Sequence, residues 1–529
     1  MESYVLIVAV IIVLSIVAEK FSDKCGLPAL ILFMFIGMIF GSDGIFKIEF
    51  DNFSVAETAC SLALVFIMFY GGFNTKWSAA RPVAAKAVTL STLGVVATAG
   101  ITTLCCRFLL KMSFQESFMV GAVLSSTDAA SVFDVLRKKK LNLKDGTASI
   151  LEVESGSNDP VAYMLTVIAI GLFGVTGSDN TALAVVLQIV VGILVGVVIS
   201  FVSIVITTKT VVVSEGLDTI FMTAMVLVCF GLSSVLGGNA YLSLYIFGII
   251  IGNCKIRNKQ RLIHFFDGVT SLSQILVFFL IGLLSYPRQM PQIIPTALVI
   301  VLVLTFVARP LAVFLMMLPF GCNVRQCALI SWAGLRGASS CVFAIMAVAS
   351  GIAMKQDLFH IVFMVTLLSV SIQGGLLPFV AARLRMVDDN SDVRKTFNDY
   401  QEERLLRLIR VNISDEHAWA NRKIRDVSMP PGSLAIMLMR DDKKIITKGD
   451  TDILTGDTLI ISVPPYYPSD DEKLDEILID KKHKWCNHTI GELGLKEDEL
   501  IAIILRGEDT VIPDGRTMIC EGDRVVMYH

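Results

Sequence analysis

The chain has 529 residues, 54% of them hydrophobic, with a formal net charge of −3 at pH 7 and a mean hydropathy of +0.69. This composition excludes an ordinary soluble globular protein, and no basic patch suggests nucleic acid as a partner. Charge is unevenly distributed, because residues 1–384 hold 43 charged side chains and the shorter segment 385–529 holds 50. The shift predicts a membrane unit over residues 1–384 and a charged, soluble tail.

Apolar runs long enough to cross or nearly cross a bilayer follow one another through the first 384 residues. A span needs about 20 mostly apolar residues, and shorter runs are tolerated where neighbours bury them. The sequence predicts thirteen runs, at residues 4–19, 28–41, 57–73, 85–107, 116–136, 147–174, 181–207, 217–236, 239–252, 261–285, 292–318, 325–350 and 357–384.

The loops between these runs indicate the orientation. Short cytoplasmic loops collect Lys and Arg. The two strongest basic clusters, at residues 137–144 and 255–261, follow runs five and nine and are therefore expected on the same, cytoplasmic side. Arg107 and Lys111, after run four, fit this orientation poorly. The pattern predicts an N-terminus outside and a cytoplasmic tail.

Ionisable residues inside the apolar runs are the main functional signal. Each charge at a helix centre costs about 2.5–3.5 kcal/mol even on lenient scales, so such residues are rarely kept without a function. Run five carries Asp128, run six carries Glu154 and Asp159, run eleven carries Arg309, and run twelve carries Arg336. Acids and arginines at membrane depth predict an ion path.

Run six contains the segment VESGSNDPVAY, residues 153–163. Residues four apart share a helix face, so Ser155 lies on the face of Asp159, and Glu154 shares a neighbouring face with Asn158. Pro160 lacks an N–H and leaves a carbonyl one turn earlier without its usual donor. A carboxylate, a hydroxyl and a carbonyl are hard oxygen ligands, so we expect an alkali-cation site at Asp159.

Runs five and twelve are both interrupted by small and polar residues. If runs 1–6 and 8–13 form two halves, each interrupted run is the fifth of its half. Interruptions at corresponding positions are typical of secondary transporters built from inverted repeats, with a binding site at the midplane.

Four segments carry a resemblance to a known family: FYGGFNTKW at 69–77, GAVLSSTDAASVFDVLR at 121–137, ESGSNDPVAY at 154–163 and AGLRGA at 333–338. They resemble the NhaP-type branch of the monovalent cation/proton antiporters, and with the tail they resemble bacterial potassium/proton antiporters. The expected fold class is an all-α polytopic membrane protein of about thirteen transmembrane helices. The resemblance implies inverted repeats, two broken crossing helices, a small α/β cytoplasmic regulatory region, a homodimer in the bacterial inner membrane and alternating access.

The resemblance also implies roles for individual residues. Asp159 matches the ion-binding aspartate, Asn158 its asparagine partner, and Thr127 with Asp128 the unwound crossing segment; Asp128 as a helix cap is the alternative. Glu154 matches an acid that pairs with a buried arginine. Arg309 or Arg336 is that arginine, with Arg309 the first choice. Some relatives carry an acid on run three, where this chain has neutral Tyr70 and Asn74.

One carboxylate holds either a proton or a cation but hardly both. Because position 158 is Asn rather than a second acid, the sequence predicts electroneutral 1:1 exchange. The resemblance to potassium/proton antiporters favours K⁺ as the cation, and Na⁺/H⁺ exchange by the same fold is one alternative. A ligand-gated cation channel is the other alternative, although channels use filter loops or rings of charge. An intramembrane serine hydrolase is rejected because no intramembrane His or Lys is placed as its base, so no enzymatic activity is expected.

The tail contains an internal repeat with an offset of 66 residues, for example Trp419 with Trp485 and Asp457 with Asp523. Apolar runs between Gly/Asp turns predict strands. The segment 385–410, rich in Asp, Arg and Glu, predicts a solvated linker helix. The repeat predicts two units, 411–466 and 477–529, that resemble TrkA-C domains. The tail contains no GxGxxG motif, so a full dinucleotide-binding lobe is expected to be missing, and no cofactor is expected. Control of the tail by a small ligand, such as a nucleotide, or by ions is expected.

Overall fold

The computed structural model divides the chain into two compact units, Met1–Tyr400 and Gln401–His529. We call them the membrane unit and the tail. The structure describes residues 2–25, 28–139, 141–174, 181–209, 217–254, 256, 258–388, 407–414, 417–427, 429–430, 433–440, 443–463, 474–481, 483–495, 500–506, 509–511 and 513–528.

Helices occupy all thirteen predicted runs of the membrane unit. The first ten are α1 Glu2–Cys25, α2 Ala29–Phe40, α3 Phe53–Asn74, α4 Trp77–Ala80, α5 Ala84–Thr89, α6 Val95–Leu109, α7 Phe114–Val123, α8 Ala129–Lys138, α9 Thr147–Leu172 and α10 Thr181–Lys209. The next nine are α11 Asp218–Val235, α12 Ala240–Asn253, α13 Lys259–Leu283, α14 Met290–Val303, α15 Arg309–Met317, α16 Val324–Trp332, α17 Ala338–Ala349, α18 Leu358–Leu368 and α19 Gly375–Arg383.

Three π-helical segments join consecutive helices into longer rods. Leu90–Gly94 joins α5 to α6, Leu304–Ala308 joins α14 to α15, and Ser369–Gly374 joins α18 to α19. Within the described residues, seven of the resulting rods are long and apolar enough to cross a membrane. Shorter apolar helices include α2, α12 and α17. The structure is therefore a mostly helical membrane protein, and the count of thirteen spans and the inverted repeat remain predictions.

Two of the runs are broken where small and polar residues were expected to break them. The first break, residues 124–128, separates α7 from α8, and the second, residues 333–337, separates α16 from α17. The two breaks contact each other, because the backbone N–H of Asp128 donates to the carbonyl of Leu335 over 2.8 Å. Gly337 makes this approach feasible, since a Cβ there would lie 2.3 Å from the Asp128 side chain.

The described residues of the tail form two four-stranded antiparallel sheets of matching order. The strands are β1 Arg407–Asn412, β2 Arg422–Lys423, β3 Leu434–Arg440, β4 Lys443–Ile446, β5 Asp452–Ile453, β6 Thr458–Val463, β7 Leu474–Leu478, β8 Leu500–Arg506, β9 Asp509–Val511 and β10 Arg524–Tyr528. The first sheet has the order β1-β6-β3-β4 and the second β7-β10-β8-β9, with a small β2-β5 pair beside the first.

The tail departs from expectation in two respects. Where described, its only helical segments are two 3-10 turns, Ile424–Asp426 and Ile490–Glu492, so the helices of the expected α/β module have no counterpart there. The predicted linker helix 385–410 is not helical at either described end, because residues 386–388 are extended and residues 407–410 lie in β1. Residues 389–406 lie outside the described residues.

An Arg–Asp ion pair at the equivalent position stabilises each sheet. Arg440 donates to both carboxylate oxygens of Asp457 over 2.8 and 2.7 Å, and Arg506 does the same to Asp523 over 2.8 Å each. Each aspartate also accepts a backbone N–H, from Leu454 or Cys520. The Arg440 hydrogen bond lowers the pKa of Asp457, and the Arg506 hydrogen bond lowers that of Asp523.

We predict that Asp457→Asn loosens the first sheet and leaves the second intact. Its amide NH₂ faces the Arg440 guanidinium, so charge-assisted bonds worth about 2 kcal/mol are lost. Hydrogen–deuterium exchange of the full-length protein in detergent should accelerate at residues 454–463 and stay unchanged at 520–528. Asp450→Asn, which removes an exposed carboxylate, is the control.

The effect should depend on pH with a defined sign. Asp457 has a lowered pKa in the folded state, so its contribution to stability is present above the ordinary aspartate pKa of about 3.9 and is lost as pH falls through the lowered value. The difference between wild type and Asp457→Asn should therefore be constant near neutral pH and shrink in acid. A difference that grows in acid would contradict this assignment.

Candidate cation-binding site

Asp159 lies on α9 beside both helix breaks. Its side chain is buried, with the residue 4% exposed. One carboxylate oxygen accepts the hydroxyl of Ser126 from the first break, and the other accepts the hydroxyl of Ser339 in the first turn of α17 over 2.6 Å. The carboxylate is therefore held by two neutral hydroxyl groups, which can donate to it or offer lone pairs to a cation.

Asn158 and Ser155 both contact Thr127 in the first break. The Asn158 amide donates to the Thr127 hydroxyl over 2.6 Å and to its carbonyl over 3.2 Å, and the Ser155 hydroxyl donates to the same carbonyl over 3.0 Å. Among the described residues nothing donates to the Asn158 amide oxygen, although it is fully buried. Two residues predicted for the site, Asn158 and Ser155, therefore contact a third, Thr127. The amide oxygen of Asn158 remains available for a ligand.

Glu154 forms a buried ion pair with Arg309. One terminal nitrogen of the guanidinium lies 2.6 and 2.7 Å from the two carboxylate oxygens, and both side chains are no more than 2% exposed. Arg336 contacts backbone instead: it donates to the carbonyl of Ser126 over 2.6 Å and to that of Ser125 over 3.3 Å. Of the two arginines left open by the sequence, Arg309 is the partner of Glu154 in this structure.

Asp128 occupies the cap position of α8. Its carboxylate oxygens accept the backbone N–H of Ala130 over 2.9 Å and the hydroxyl of Ser131 over 2.6 Å. Both oxygens therefore satisfy the start of a helix, as N-terminal caps do. The structure places Asp128 at the crossing but gives its carboxylate a capping contact.

A small cavity of about 10 Å³, room for about one water molecule, lies behind the two arginines. The Thr305 hydroxyl, the Nε and one terminal nitrogen of Arg309, and one terminal nitrogen of Arg336 are buried, with no acceptor among the described residues. Gly334 lines the same space, and a Cβ there would lie 2.7 Å from Arg309 Nε. The second break therefore makes room for the Arg309 side chain.

The neutral stretch on α3 has its own contacts. The Tyr70 hydroxyl donates to Asp267 of α13 over 2.8 Å, and the Asn74 amide oxygen is buried without a donor in the described part of the chain.

Ser126 and Ser339 are hydrogen-bond partners of Asp159 that the sequence did not predict. Their signal was present, because each lies within or directly after one of the two predicted breaks.

The transmembrane sodium/hydrogen exchanger model matches residues 6–383, which is most of the chain. The chain belongs to the sodium/hydrogen exchanger family. This is a family of transporters with multiple membrane-spanning helices. A TrkA-C domain model matches residues 474–528, the second of the two tail sheets.

The similarity to curated relatives extends beyond the membrane unit into the tail. The K(+)/H(+) antiporter NhaP of Alkalimonas amylolytica is 31% identical over 466 residues, covering 86% of this chain and 80% of that protein. The K(+)/H(+) antiporter NhaP2 of Shewanella sp. strain MR-4 is 32% identical over 473 residues, covering 87% and 81%. The predicted NhaP-type recognition is confirmed.

A solved structure shares the fold of this exchanger. The sodium proton antiporter MjNhaP1 from Methanocaldococcus jannaschii at pH 8 superposes with a TM-score of 0.65 at 23% identity, over 73% of this chain and 99% of that one.

We predict that Glu154→Gln destabilises the membrane unit by about 3 kcal/mol, because it leaves the buried Arg309 charge without its counter-charge. The midpoint of thermal unfolding in detergent should fall by several degrees. Glu152→Gln, two residues earlier on α9, should leave it nearly unchanged. The double variant Glu154→Gln/Arg309→Gln should recover part of the loss, and no recovery would contradict the ion-pair explanation.

Proposed function

We propose that this chain is a secondary active antiporter that exchanges K⁺ for H⁺, one for one, by alternating access at Asp159. The single observation that carries the proposal is the buried Asp159 carboxylate, held by the hydroxyls of Ser126 and Ser339 where the two helix breaks meet. Such a carboxylate binds either a proton or a cation, and each state excludes the other.

The ligands around Asp159 suit an alkali cation. A cation at the Asp159 carboxylate has hydroxyl oxygens within reach at Ser126 and Ser339, and the Asn158 amide oxygen has no donor that it must give up. The predicted ligands Ser155 and Thr127 add a hydroxyl and a carbonyl. These are hard oxygen ligands without a thiolate or imidazole, which favours an alkali cation over a transition metal.

The charge balance supports a 1:1 stoichiometry. Glu154 is neutralised by Arg309, Asp128 is engaged at the cap of α8, and Asn158 has no charge. Asp159 is therefore the acid in this cluster that is left to alternate between proton and cation. One exchanged charge on each side makes the cycle electroneutral.

The choice of K⁺ is supported by the names of the relatives. The A. amylolytica and Shewanella relatives, at 31% and 32% identity, are named K(+)/H(+) antiporters, whereas an M. jannaschii relative, at 24% identity, is named a Na(+)/H(+) antiporter. Na⁺/H⁺ exchange by the same site is the second candidate. We place the protein as a homodimer in the bacterial plasma membrane, with its N-terminus outside and its tail in the cytoplasm.

We predict that Asp159→Asn abolishes cation-dependent proton movement in proteoliposomes, because the neutral side chain has no charge to trade. Glu152→Gln on the same helix should keep at least half of the wild-type rate. Driving exchange with K⁺, Na⁺ or Li⁺ in parallel ranks the cations, and K⁺ should be fastest. A steady transport current from the wild-type protein would refute 1:1 exchange, and single-channel openings would indicate a cation channel instead.

The tail is proposed to regulate exchange through the segment that directly follows the last helix of the membrane unit, α19. Residues 386–388 pair with the loop between α8 and α9: the Lys144 N–H donates to the Met386 carbonyl over 2.9 Å, and the Asp388 N–H donates to the Asn142 carbonyl over 3.0 Å. Leu143 faces Val387 between these bonds, and Met386 is 2% exposed. We call this pairing the exit ladder.

The exit ladder lies at a suitable place for control. The loop to which it binds joins α8, capped by Asp128, to α9, which carries Asp159. Displacement of residues 386–388 by the tail would therefore act on both helices of the site. A small ligand, such as a nucleotide, bound to the TrkA-C-like tail would supply that displacement.

We predict that Asp388→Pro uncouples the tail. Proline removes the N–H that bonds to Asn142 and favours the extended backbone already present before it. Its exchange rate should match, within about twofold, that of a chain ended after residue 388. Asp388→Asn, which keeps the N–H and a side chain of the same size, should retain the full-length rate. A Pro variant that behaves like the Asn variant would refute control through the exit ladder.

A further inference from the structure

Asn239 is a buried polar residue that lies outside the candidate site. It precedes the first residue of α12 and is fully buried. Its amide oxygen caps α12 by accepting the N–H of Leu242 over 3.0 Å, and its own backbone N–H donates to Gln188 of α10 over 2.9 Å. Asn239 is therefore fixed to α10 and α12.

The amide nitrogen of Asn239 reaches a different helix. It donates to the carbonyl of Pro160 on α9 over 2.8 Å. Pro160 directly follows Asp159, so this bond fixes the α9 backbone at the residue next to the exchanging carboxylate. A carbonyl oxygen has two lone pairs, so it can accept the Asn239 amide in addition to a helical N–H.

The two helices joined by this bond belong to different packing groups. α12 packs mainly against α3, α10 and α11, whereas α9 packs mainly against α5, α7 and the π-helical segment Leu90–Gly94. Contact between α9 and α12 is limited in comparison. The Asn239–Pro160 bond therefore crosses a boundary between two groups of helices.

The contact between α9 and α12 one turn away has few side-chain atoms on the α9 side. A Cβ on Gly156 would lie 2.7 Å from the ring of Tyr245 on α12. Gly156 and Pro160 are four residues apart and therefore share one face of α9. This face presents a residue without a side chain, a proline ring and one carbonyl that is hydrogen-bonded to Asn239, so α12 approaches the α9 backbone closely here.

We infer that Asn239 is a positioning residue for exchange: its amide holds α9, and with it Asp159, in the position seen here, and releases it when the site opens to the other side of the membrane. The inference rests on the proposed alternating access. A net contribution of one buried hydrogen bond of ordinary strength corresponds to a bias of roughly three- to tenfold between the two states. This is enough to matter without trapping the transporter.

The test separates a shift between states from damage to the site. Loss of a bond made in one state changes the apparent Michaelis constants for the cation at the two membrane faces in opposite directions, whereas a damaged site weakens binding at both. Asn239→Ser keeps a good cap for α12 and is too short to reach Pro160. Asn239→Asp keeps the cap acceptor and the side-chain size, and replaces the donor with an acceptor.

Exchange is measured in right-side-out and inside-out vesicles containing the full-length protein, with K⁺ as the probe. We expect Asn239→Ser and Asn239→Asp to lower the constant at one face and raise it at the other by roughly three- to tenfold. Asn52→Ser, at the cap of α3 and without a bond to α9, should leave both constants unchanged. Size-exclusion profiles identify a variant that fails to fold, and the other variant then decides.

Constants that stay at wild-type values, or that move in the same direction at both faces, would overturn the assignment of Asn239. Wild-type vesicles without cation-driven proton exchange would instead overturn the proposed function. The two failures are therefore distinguishable in one set of vesicles.

Discussion

The two helix breaks depend on each other, because a bilayer supplies no hydrogen bonds to exposed backbone. An unsatisfied peptide group in hydrocarbon costs several kcal/mol, so irregular backbone at membrane depth must be satisfied by protein. The N–H of Asp128 donates to the carbonyl of Leu335, so each break satisfies a group of the other. Arg336 covers two further carbonyls, those of Ser125 and Ser126. The proposed cation site lies where the two breaks meet.

The acids in the membrane unit illustrate how environment assigns roles to identical groups. Glu154 faces a guanidinium and gains a permanent counter-charge. Asp128 lies at the start of α8, where its carboxylate accepts one backbone N–H and one hydroxyl. Asp159 faces only neutral hydroxyls. A permanent cationic partner would compete with a transported cation, and a capping carboxylate is already engaged by a helix end, so we assign the proposed exchange to Asp159.

The elements that depend on a local sequence pattern could be predicted from the sequence. The runs of apolar residues, both breaks, the columns of α9 and the two tail sheets follow from periodicity, small polar residues and an internal repeat. The sequence left open whether Arg309 or Arg336 pairs with Glu154, because helical spacing defines the faces of α9 but not which helix packs on each face. The Ser339 and Asn239 contacts join residues 180 and 79 positions apart in sequence. The predicted break marks the position of Ser339 but not its partner Asp159, and no local pattern marks the Asn239 contact. The predicted linker helix is not helical at its described ends. Val387 pairs with Leu143 and residues 407–410 pair with β6, and these contacts between distant residues override the local charge composition.

Ser126 connects the fixed and the exchanging parts of the site. Its carbonyl accepts Arg336 over 2.6 Å, while its hydroxyl donates to Asp159. The arginine therefore fixes the backbone that presents this hydroxyl, yet none of its described hydrogen bonds reaches the exchanging carboxylate. A hydroxyl is the least disruptive intermediary here, because rotation about one bond converts it from a donor facing a carboxylate to an oxygen facing a cation. In the proposed exchange, proton and cation would therefore replace each other while the backbone of both breaks keeps its hydrogen bonds.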